Sequence, residues 1–332
     1  MASVDLSKLD NSLKVRRAQG VSLMKKKLTD GWGKLSGFQK LRVTDELPLG
    51  SIVMQSMTQP GGKGTFNPKA NALKVEARIA KVRPAKIDLL IGEVERKQLE
   101  ATYFAQVQGT NGRDPENFWL ADHIWESVTQ MAGVDTLKGV WNGVLNSAGT
   151  NAVDVCNGIV TLIDLDITSE DLPEELILQH AADYFLQESN IIKEFKDLSK
   201  IFRSKLPAYA YLPATLYCAP ERLSEYEFAV EALNGNKNTY NSFNQPVLYW
   251  AKNIKIEAVI ELAGTDFVMI TPDDNLVYAT DRTAEGVELE SDYSKRDRSI
   301  AIVADWDYTP NYFRSDLNVV NDLRARPVGA GV

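Results

Sequence analysis

The first 47 residues hold apolar side chains only singly among charged and polar ones, which is too few to close a hydrophobic core. Leu6, Leu9 and Leu13 are typical of this spacing, and the segment suits one or two short amphipathic helices at most. A segment of this composition becomes ordered when another surface supplies the missing apolar contacts. We therefore expect residues 1–47 to form an arm, and the core to be built from the rest of the 332-residue chain.

Charge also divides the chain. Residues 1–97 carry 19 Lys and Arg against 9 Asp and Glu, whereas residues 98–332 carry 18 Lys and Arg against 36 Asp and Glu. The net charge of the whole chain is −8. Complementary fields steer surfaces together and fix their register, so one interpretation places the basic arm of one copy on the acidic body of another. A solvated tail and a nucleic-acid-binding arm are the alternatives, although the acidic body would repel a duplex. On the first interpretation the contact residues are Arg16, Arg17, Lys25, Lys26 and Lys27.

A β-hairpin is predicted after the arm. Residues 50–58 suit a strand, and residues 73–80 alternate apolar with charged side chains at period two. A two-stranded hairpin is barely stable alone, so we expect it to lie on a neighbouring copy; an ordinary hairpin within the domain is the alternative. The tip residues that would make this contact are Pro60, Gly61, Gly62, Lys63 and Gly64.

Helices and strands are mixed in the remaining chain. Helical periodicity or helix caps predict helices at 88–108, from Asp114-Pro115 through Met131, at 134–146, at about 171–203, and from Pro220 to Asn234. Strands are predicted at 157–163 after a turn, at 206–220 between prolines, and at 254–262, 266–271, 275–280 and 299–308, with a turn at 271–275. No regular βαβ repeat appears, which favours an α+β architecture.

The residue types that usually carry catalysis or bind metal are scarce. His123 and His180 fall in predicted helices without a metal-ligand spacing, and Cys156 and Cys218 are far apart. Neither a Gly-x-Ser-x-Gly elbow nor a phosphate-binding loop is present. Acidic clusters at 170–171, 174–175, 273–274 and 305–307 are explained by turns and solvated faces. In the last of these clusters, Asp305 and Asp307 should face solvent while Trp306 between them faces inward.

These patterns predict no catalytic residue, no metal and no cofactor. The two cysteines cannot form a disulfide framework, which favours folding in a reducing, intracellular compartment. No run of about 18 apolar residues exists, so we expect no membrane span.

The order of these parts resembles the major capsid protein of tailed bacteriophages, which has the Hong Kong 97-type fold. The more specific likeness lies in the C-terminal half, where Ala279 stands at a position that is commonly Gly in the family. The segments that carry it are 157–160, 206–209, 216–220 with Tyr226, 267–281, 304–308 and 313–314.

The resemblance implies a division of the chain into the parts that this family has. They are an N-terminal arm (1–47), an E-loop hairpin (48–87), a P-domain with a long spine helix (88–150), an A-domain (151–272), and a return to the P-domain with C-terminal strands (273–332).

The resemblance also implies a function. A structural, non-enzymatic protein would self-assemble as pentamers and hexamers into the icosahedral head that encloses double-stranded DNA. It would be part of the virion, assembled in the host cytoplasm. Its partners would be other copies, a portal and a separate scaffolding protein, with DNA bound only non-specifically and no membrane; assembly without a scaffolding protein is the alternative. An encapsulin-like nanocompartment and an α+β metabolic enzyme are the alternatives; the long helices disfavour a mostly-β tail-tube or baseplate protein.

Overall fold

A computed structural model describes residues 37–54, 73–92, 120–181, 183–234, 246–281, 288–294 and 299–323, together with positions 35, 94, 95, 98 and 296. The helices are α1 (Leu120–Asn142), α2 (Ile159–Thr168), α3 (Ile191–Lys205) and α4 (Pro220–Asn234). The strands are β1 (Phe38–Arg42), β2 (Glu46–Met54), β3 (Leu73–Lys81), β4 (Arg83–Ile91), β5 (Ile177–Leu178), β6 (Ala214–Cys218), β7 (Val247–Leu248), β8 (Ala251–Ala258), β9 (Val268–Pro272), β10 (Leu276–Thr280), β11 (Glu288–Ser294), β12 (Ser299–Tyr312) and β13 (Val319–Asn321).

The long strand β12 organises the first sheet. Its first part pairs antiparallel with β11 on one side and with β4 on the other, and its last five residues pair with β10. β1 completes the sheet parallel to β10. Side chains along β12 alternate as expected: Trp306 is buried, while Asp305 is exposed and Asp307 half-buried. The predicted orientation of this acidic pair is confirmed.

The second sheet has the strand order β5-β13-β9-β6-β8-β7. Its central strands β6 and β9 are buried along their whole length, because elements cover both faces of the sheet. β9 is followed by a turn in which Asp274 has a φ of 72°, and the chain then enters β10 of the first sheet. Strand β6, helix α4 and this turn were all predicted from the sequence.

The C-terminal end of α1 joins the two sheets. Trp141 is 1% exposed, and its ring lies 5.9 Å from that of Phe38 on β1 and 5.1 Å from that of Tyr217 on β6. One side chain therefore packs against both sheets, and most buried apolar residues of the two sheets belong to one continuous core, while Val277 and Ala279 of β10 belong to a smaller separate cluster. The mixed sheets and helices confirm the α+β class.

The structure corrects the prediction of a helix at 88–108. Residues up to Ile91 continue β4, because their backbone completes the ladder beside β12, where Ile91 is buried and Leu90 is exposed. Val94, Glu95 and Gln98 are helical, and most of the remainder of the predicted helix lies outside the described residues.

The two helices predicted around Met131 and 134–146 are one helix, α1, which continues without a break through Gly133 and ends at Asn142. Met131 is exposed and not on the buried side, which is set by Ile124, Ala132 and Leu137. The predicted start at Asp114-Pro115 lies outside the described residues.

The prediction of a strand at 157–163 is wrong, because these residues lead into helix α2. Its buried residues are Ile159, Ile163 and Asp166, a spacing of four and three that belongs to a helix face. Gly158 precedes the helix and lies so close to the end of α1 that a Cβ there would be 2.5–2.7 Å from backbone atoms of Trp141 and Gly143.

The long helix predicted at 171–203 is also corrected. Only Ile191–Lys205 is helical, whereas Glu174–Leu176 forms a 3₁₀ turn and β5 follows at the edge of the second sheet. Pro173 disfavours helical backbone at the residue before it. His180 consequently lies in a connection and not in a helix, while His123 lies in α1 as predicted.

Candidate functional site

The contact residues predicted for the hairpin tip and the arm lie outside the described residues. This applies to Pro60, Gly61, Gly62, Lys63 and Gly64 of the tip, and to Arg16, Arg17, Lys25, Lys26 and Lys27 of the arm. Their roles stay predictions. What the structure does describe is the base of the hairpin, its attachment to the body, and the helix surfaces of the second sheet.

The hairpin itself is present. β2 and β3 pair antiparallel over nine residues each, from Glu46 opposite Lys81 to Met54 opposite Leu73. Among the described strands, these two form a ladder only with each other. Unpaired strand edges carry backbone N–H and C=O groups that a strand of another chain can bind.

An apolar cluster fixes the base of the hairpin to the first sheet. Leu49 of β2 and Ala80 of β3 are 1% and 0% exposed, and they pack with Val277 and Ala279 of β10. Burial of such side chains contributes about 25 cal/mol per Å² of apolar surface, so this small cluster holds the base in place. On the opposite face of β3, Ile79 is 63% exposed.

A second attachment is polar. Arg78 of β3 donates two hydrogen bonds to the carboxylate of Asp166 on α2, from Nη1 to Oδ2 at 2.6 Å and from Nη2 to Oδ1 at 2.9 Å. Tyr312 of β12 donates its hydroxyl hydrogen to the same Oδ2, and the Arg78 guanidinium lies 4.3 Å from the centre of the Tyr312 ring. The Asp166 side chain is only 5% exposed and that of Arg78 is 22% exposed. The paired, planar geometry fixes the angle between the hairpin and the body.

We name this cluster of Arg78, Asp166 and Tyr312 the hairpin joint. It brings together residues from a strand of the hairpin, a helix and the longest strand of the first sheet. Sequence reasoning missed it, because the segment that contains Asp166 was read as part of a strand and the connection that follows it. The sequence does contain one signal for this cluster. Asp166 lies seven positions after Ile159, at helical spacing on an otherwise apolar face.

The two outer helices of the second sheet form a groove of about 950 Å³. One wall is α3, with Lys193, Lys196 and Lys200, and the other is α4, with Ala229 and Leu233. Leu233 is 69% exposed, so the α4 wall offers apolar surface to solvent.

Of the residues that the sequence analysis considered for catalysis or metal binding, His180 is held by structural contacts. His180 Nε2 lies 3.0 Å from Glu194 Oε1, and the His180 ring stacks on Tyr184 at 4.1 Å. Burial raises the pKa of Glu194 above its usual value. Asn321 also donates to Glu194 Oε1, so this group ties the connection before α3 to strand β13.

The two cysteines are buried and reduced. Burial raises the pKa of Cys156 to about 12 and raises that of Cys218 as well. Among the residues that the structure describes, no three His, Cys, Asp or Glu side chains are grouped to hold a metal ion. No helix in the described ranges combines the length and apolar character needed to cross a membrane.

No protein-family model matches the chain, and no curated protein matches it in sequence. Solved structures match it in fold. A chain of the satellite phage P4 procapsid including the size determination protein gives a TM-score of 0.54 at 11% identity, covering 89% of this chain and 95% of that one. The capsid of the Myoviridae phage XM1 gives 0.54 at 11% identity, covering 86% and 89%.

An encapsulin also matches. The holo-SrpI encapsulin complex of Synechococcus elongatus PCC 7942 gives a TM-score of 0.51 at 7% identity, covering 90% of this chain and 89% of that one. Together these likenesses confirm the predicted fold, which is the α+β fold of Hong Kong 97-type shell proteins.

Proposed function

We propose that the chain is a structural protein that self-assembles as pentamers and hexamers into the icosahedral head of a tailed bacteriophage. The observation that carries the proposal is the fold, which matches phage shell proteins over nearly the full length of both chains. A match of this extent leaves little room for an additional catalytic domain in the region compared. We propose that the role of the chain is structural and not enzymatic.

The base of the hairpin supports this function. Among the strands that the structure describes, the two strands of the hairpin form a ladder only with each other. A hairpin of this kind, fixed by an apolar cluster and by the hairpin joint, is suited to reach a neighbouring subunit at a defined angle. Because hundreds of copies repeat the same contact, a modest contact energy for each copy is enough to hold a closed shell. The predicted tip, Pro60 to Gly64, and the arm residues Arg16 to Lys27 are the contact residues we propose.

The charge distribution supports a role around DNA. Residues 98–332 carry twice as many Asp and Glu as Lys and Arg, so an acidic inner surface would repel phosphates and let packaged DNA slide. We propose that DNA is contacted only non-specifically, that a portal and a separate scaffolding protein are partners, and that assembly takes place in the host cytoplasm before the virion is complete.

An encapsulin-like nanocompartment is the second candidate, since an encapsulin matches the fold at a TM-score of 0.51. The two candidates differ in what the shell encloses. Shells formed in cells that also express a portal and scaffold should contain nucleic acid after packaging, whereas a nanocompartment should co-purify with a cargo protein.

Negative-stain electron microscopy of the purified protein, after size-exclusion chromatography, tests the proposal. We expect closed shells, or rings of five and six subunits, either alone or with the scaffolding protein. Subunits that remain monomeric at high concentration, under crowding and with the scaffold present would contradict a shell function.

Deletion of residues 59–66 tests the role of the hairpin tip. The shortened protein should remain soluble, with an unchanged circular dichroism spectrum, but should assemble poorly. Loss of the folded state would show that this segment belongs to the core, and normal assembly would show that the tip makes no essential contact.

A further inference from the structure

The outward surfaces of α3 and α4 carry opposite charges. Lys193, Lys196 and Lys200 are exposed and spaced by three and four residues, so they lie on one face of α3. On α4, Glu221 and Glu231 are exposed on the same face as Phe228, at spacings of seven and three. The first face is basic and the second is acidic with an aromatic residue in its middle.

Phe228 is the exposed aromatic side chain of this acidic face. It is 61% exposed although it lies on a helix whose Tyr226 and Val230 are buried in the core. A large exposed aromatic side chain flanked by charges is the typical anchor of a protein–protein contact.

The groove between the helices suits such an anchor. Its α4 wall is formed by small and apolar residues, Ala229, Ala232 and Leu233. Its other side carries Lys193, Lys196 and Lys200 together with Glu188 and Asp197, and Asp197 lies 2.8 Å from Lys200. With Lys193 and Lys196 as the remaining cations, an occupant that presents an apolar side chain and a carboxylate suits the groove. The basic arm fails this requirement because its charge has the same sign as the lysine wall.

Phe228 does not fill the groove of its own chain. It is 61% exposed and is not among the residues that line the groove, although Ala232, one turn further along α4, is one of them. An anchor that lies outside its own groove is available to the groove of another copy, in a head-to-tail contact. Repeated contacts of this kind close into a ring when the rotation fits.

We propose that the groove between α3 and α4 of one copy receives the acidic α4 face of the next copy, with Phe228 against the apolar wall and Glu231 beside Lys196. This inference rests on the proposed function, because it names the surfaces that join subunits within a pentamer or hexamer.

Crosslinking of single-cysteine variants tests the arrangement. Lys196→Cys and Glu231→Cys each add one exposed thiol, while the native Cys156 and Cys218 are 1% and 0% exposed. A short bismaleimide should give linked dimers on a denaturing gel when assemblies are formed from an equal mixture of the two variants, and none when either variant is assembled alone. Equal crosslinking of one variant alone, or no crosslinking in mixed assemblies that form normally, would overturn the proposal.

Charge reversal gives an independent readout. Lys196→Glu and Glu231→Lys should each raise the protein concentration required for assembly about tenfold, which corresponds to about 1.4 kcal/mol per contact. The double variant should return to within about threefold of the wild type, because the pair is restored between copies. An additive defect in the double variant would refute the pairing.

The outcomes separate this inference from the proposed function. If the wild type forms shells but the variants neither crosslink nor compensate, the surfaces are wrong and the shell function stands. If the wild type forms no assembly under any of these conditions, the proposed shell function is contradicted, and this inference falls with it.

Discussion

The hairpin joint makes an unequal prediction for its two charged partners. Arg78→Ala removes the guanidinium from the Asp166 carboxylate, which is 5% exposed and keeps the hydrogen bond that it already accepts from the Tyr312 hydroxyl. Breaking a buried ion pair in this way costs about 3 kcal/mol. Asp166→Asn keeps an acceptor oxygen, and Arg78 is 22% exposed and reaches water, so this change should cost only about 1 kcal/mol.

Native-state hydrogen exchange of the unassembled subunit measures the effect where it should occur. Undocking of the hairpin exposes the backbone amides of β2 and β3, and a loss of about 3 kcal/mol corresponds to exchange about a hundredfold faster. The amides of β6 and β9, which lie in the second sheet, should be much less affected. Urea unfolding of the same variants gives the change in global stability.

Lys81→Ala is the matched control. Lys81 lies on the same strand, three residues from Arg78, and pairs with Glu46 across the hairpin at 2.5 Å, with both side chains nearly half exposed. A surface ion pair of this kind contributes little to stability, so hairpin exchange should be almost unchanged. The argument would be refuted if Asp166→Asn proved as costly as Arg78→Ala, or if Lys81→Ala loosened the hairpin equally.

Three further outcomes follow from the packing. Gly158→Ala should lower stability by about 3 kcal/mol or more in thermal denaturation, because the added Cβ would overlap the backbone of α1. Gly133→Ala is the control: a Cβ there meets nothing within 4 Å, so this change should raise stability by about 0.5–1 kcal/mol. Equal effects of the two changes would contradict the predicted overlap. Cys156 and Cys218 should react with Ellman's reagent only after unfolding, and reaction in the native state would show that they are accessible. Because burial raises the pKa of Cys156 from 9.0 to about 12, the folded state keeps a proton that the unfolded state loses in this range. This thiol alone should therefore lower stability by up to about 1.4 kcal/mol per unit as the pH rises above 9, and Cys218, whose pKa is also raised, should add to the fall. Urea unfolding at pH 8 and 10.5 measures this fall, and Cys156→Ala should reduce it.

The elements that could be predicted from the sequence are those whose limits are marked locally. Strand β6 lies between prolines, α4 begins at Pro220, and the turn at Asp274 is marked by turn-forming residues on both sides. In each case a few neighbouring residues determine the backbone, so no distant contact is needed to identify the element.

The elements that were missed are determined by distant contacts. The β-branched run at the start of α2 favours a strand by local preference, but it is helical because Gly158 lets the chain pass against the end of α1. Residues 88–91 belong to a strand because β12, more than 200 positions later, supplies their partners. The periodicity of apolar residues within a segment gives no information about either of these contacts.

The same limit explains why the hairpin joint was not predicted. Arg78 and Asp166 are 88 positions apart, and each is unremarkable within its own segment. In β3 the alternation of charged and apolar residues predicts a solvated charged face, yet Arg78 lies on the face that Ala80 buries. The hairpin prediction was correct, whereas its attachment depended on a helix that had been assigned as a strand.

The chemistry of the attachment differs from that of the body in a way that bears on assembly. The two sheets share one continuous apolar core around Trp141, and a close-packed core of this kind does not deform gradually. The hairpin is held instead by a small separate cluster, by the hairpin joint, and by a hydrogen bond that the Asn311 amide donates to the Ile79 carbonyl oxygen. A single chain that occupies both five-fold and six-fold positions must change the angle between some of its parts. A change at the base of the hairpin disturbs fewer contacts than a change within the core, so it costs less free energy. If the proposed function is correct, differences between copies in one shell should therefore be concentrated at the base of the hairpin, while the two sheets superpose.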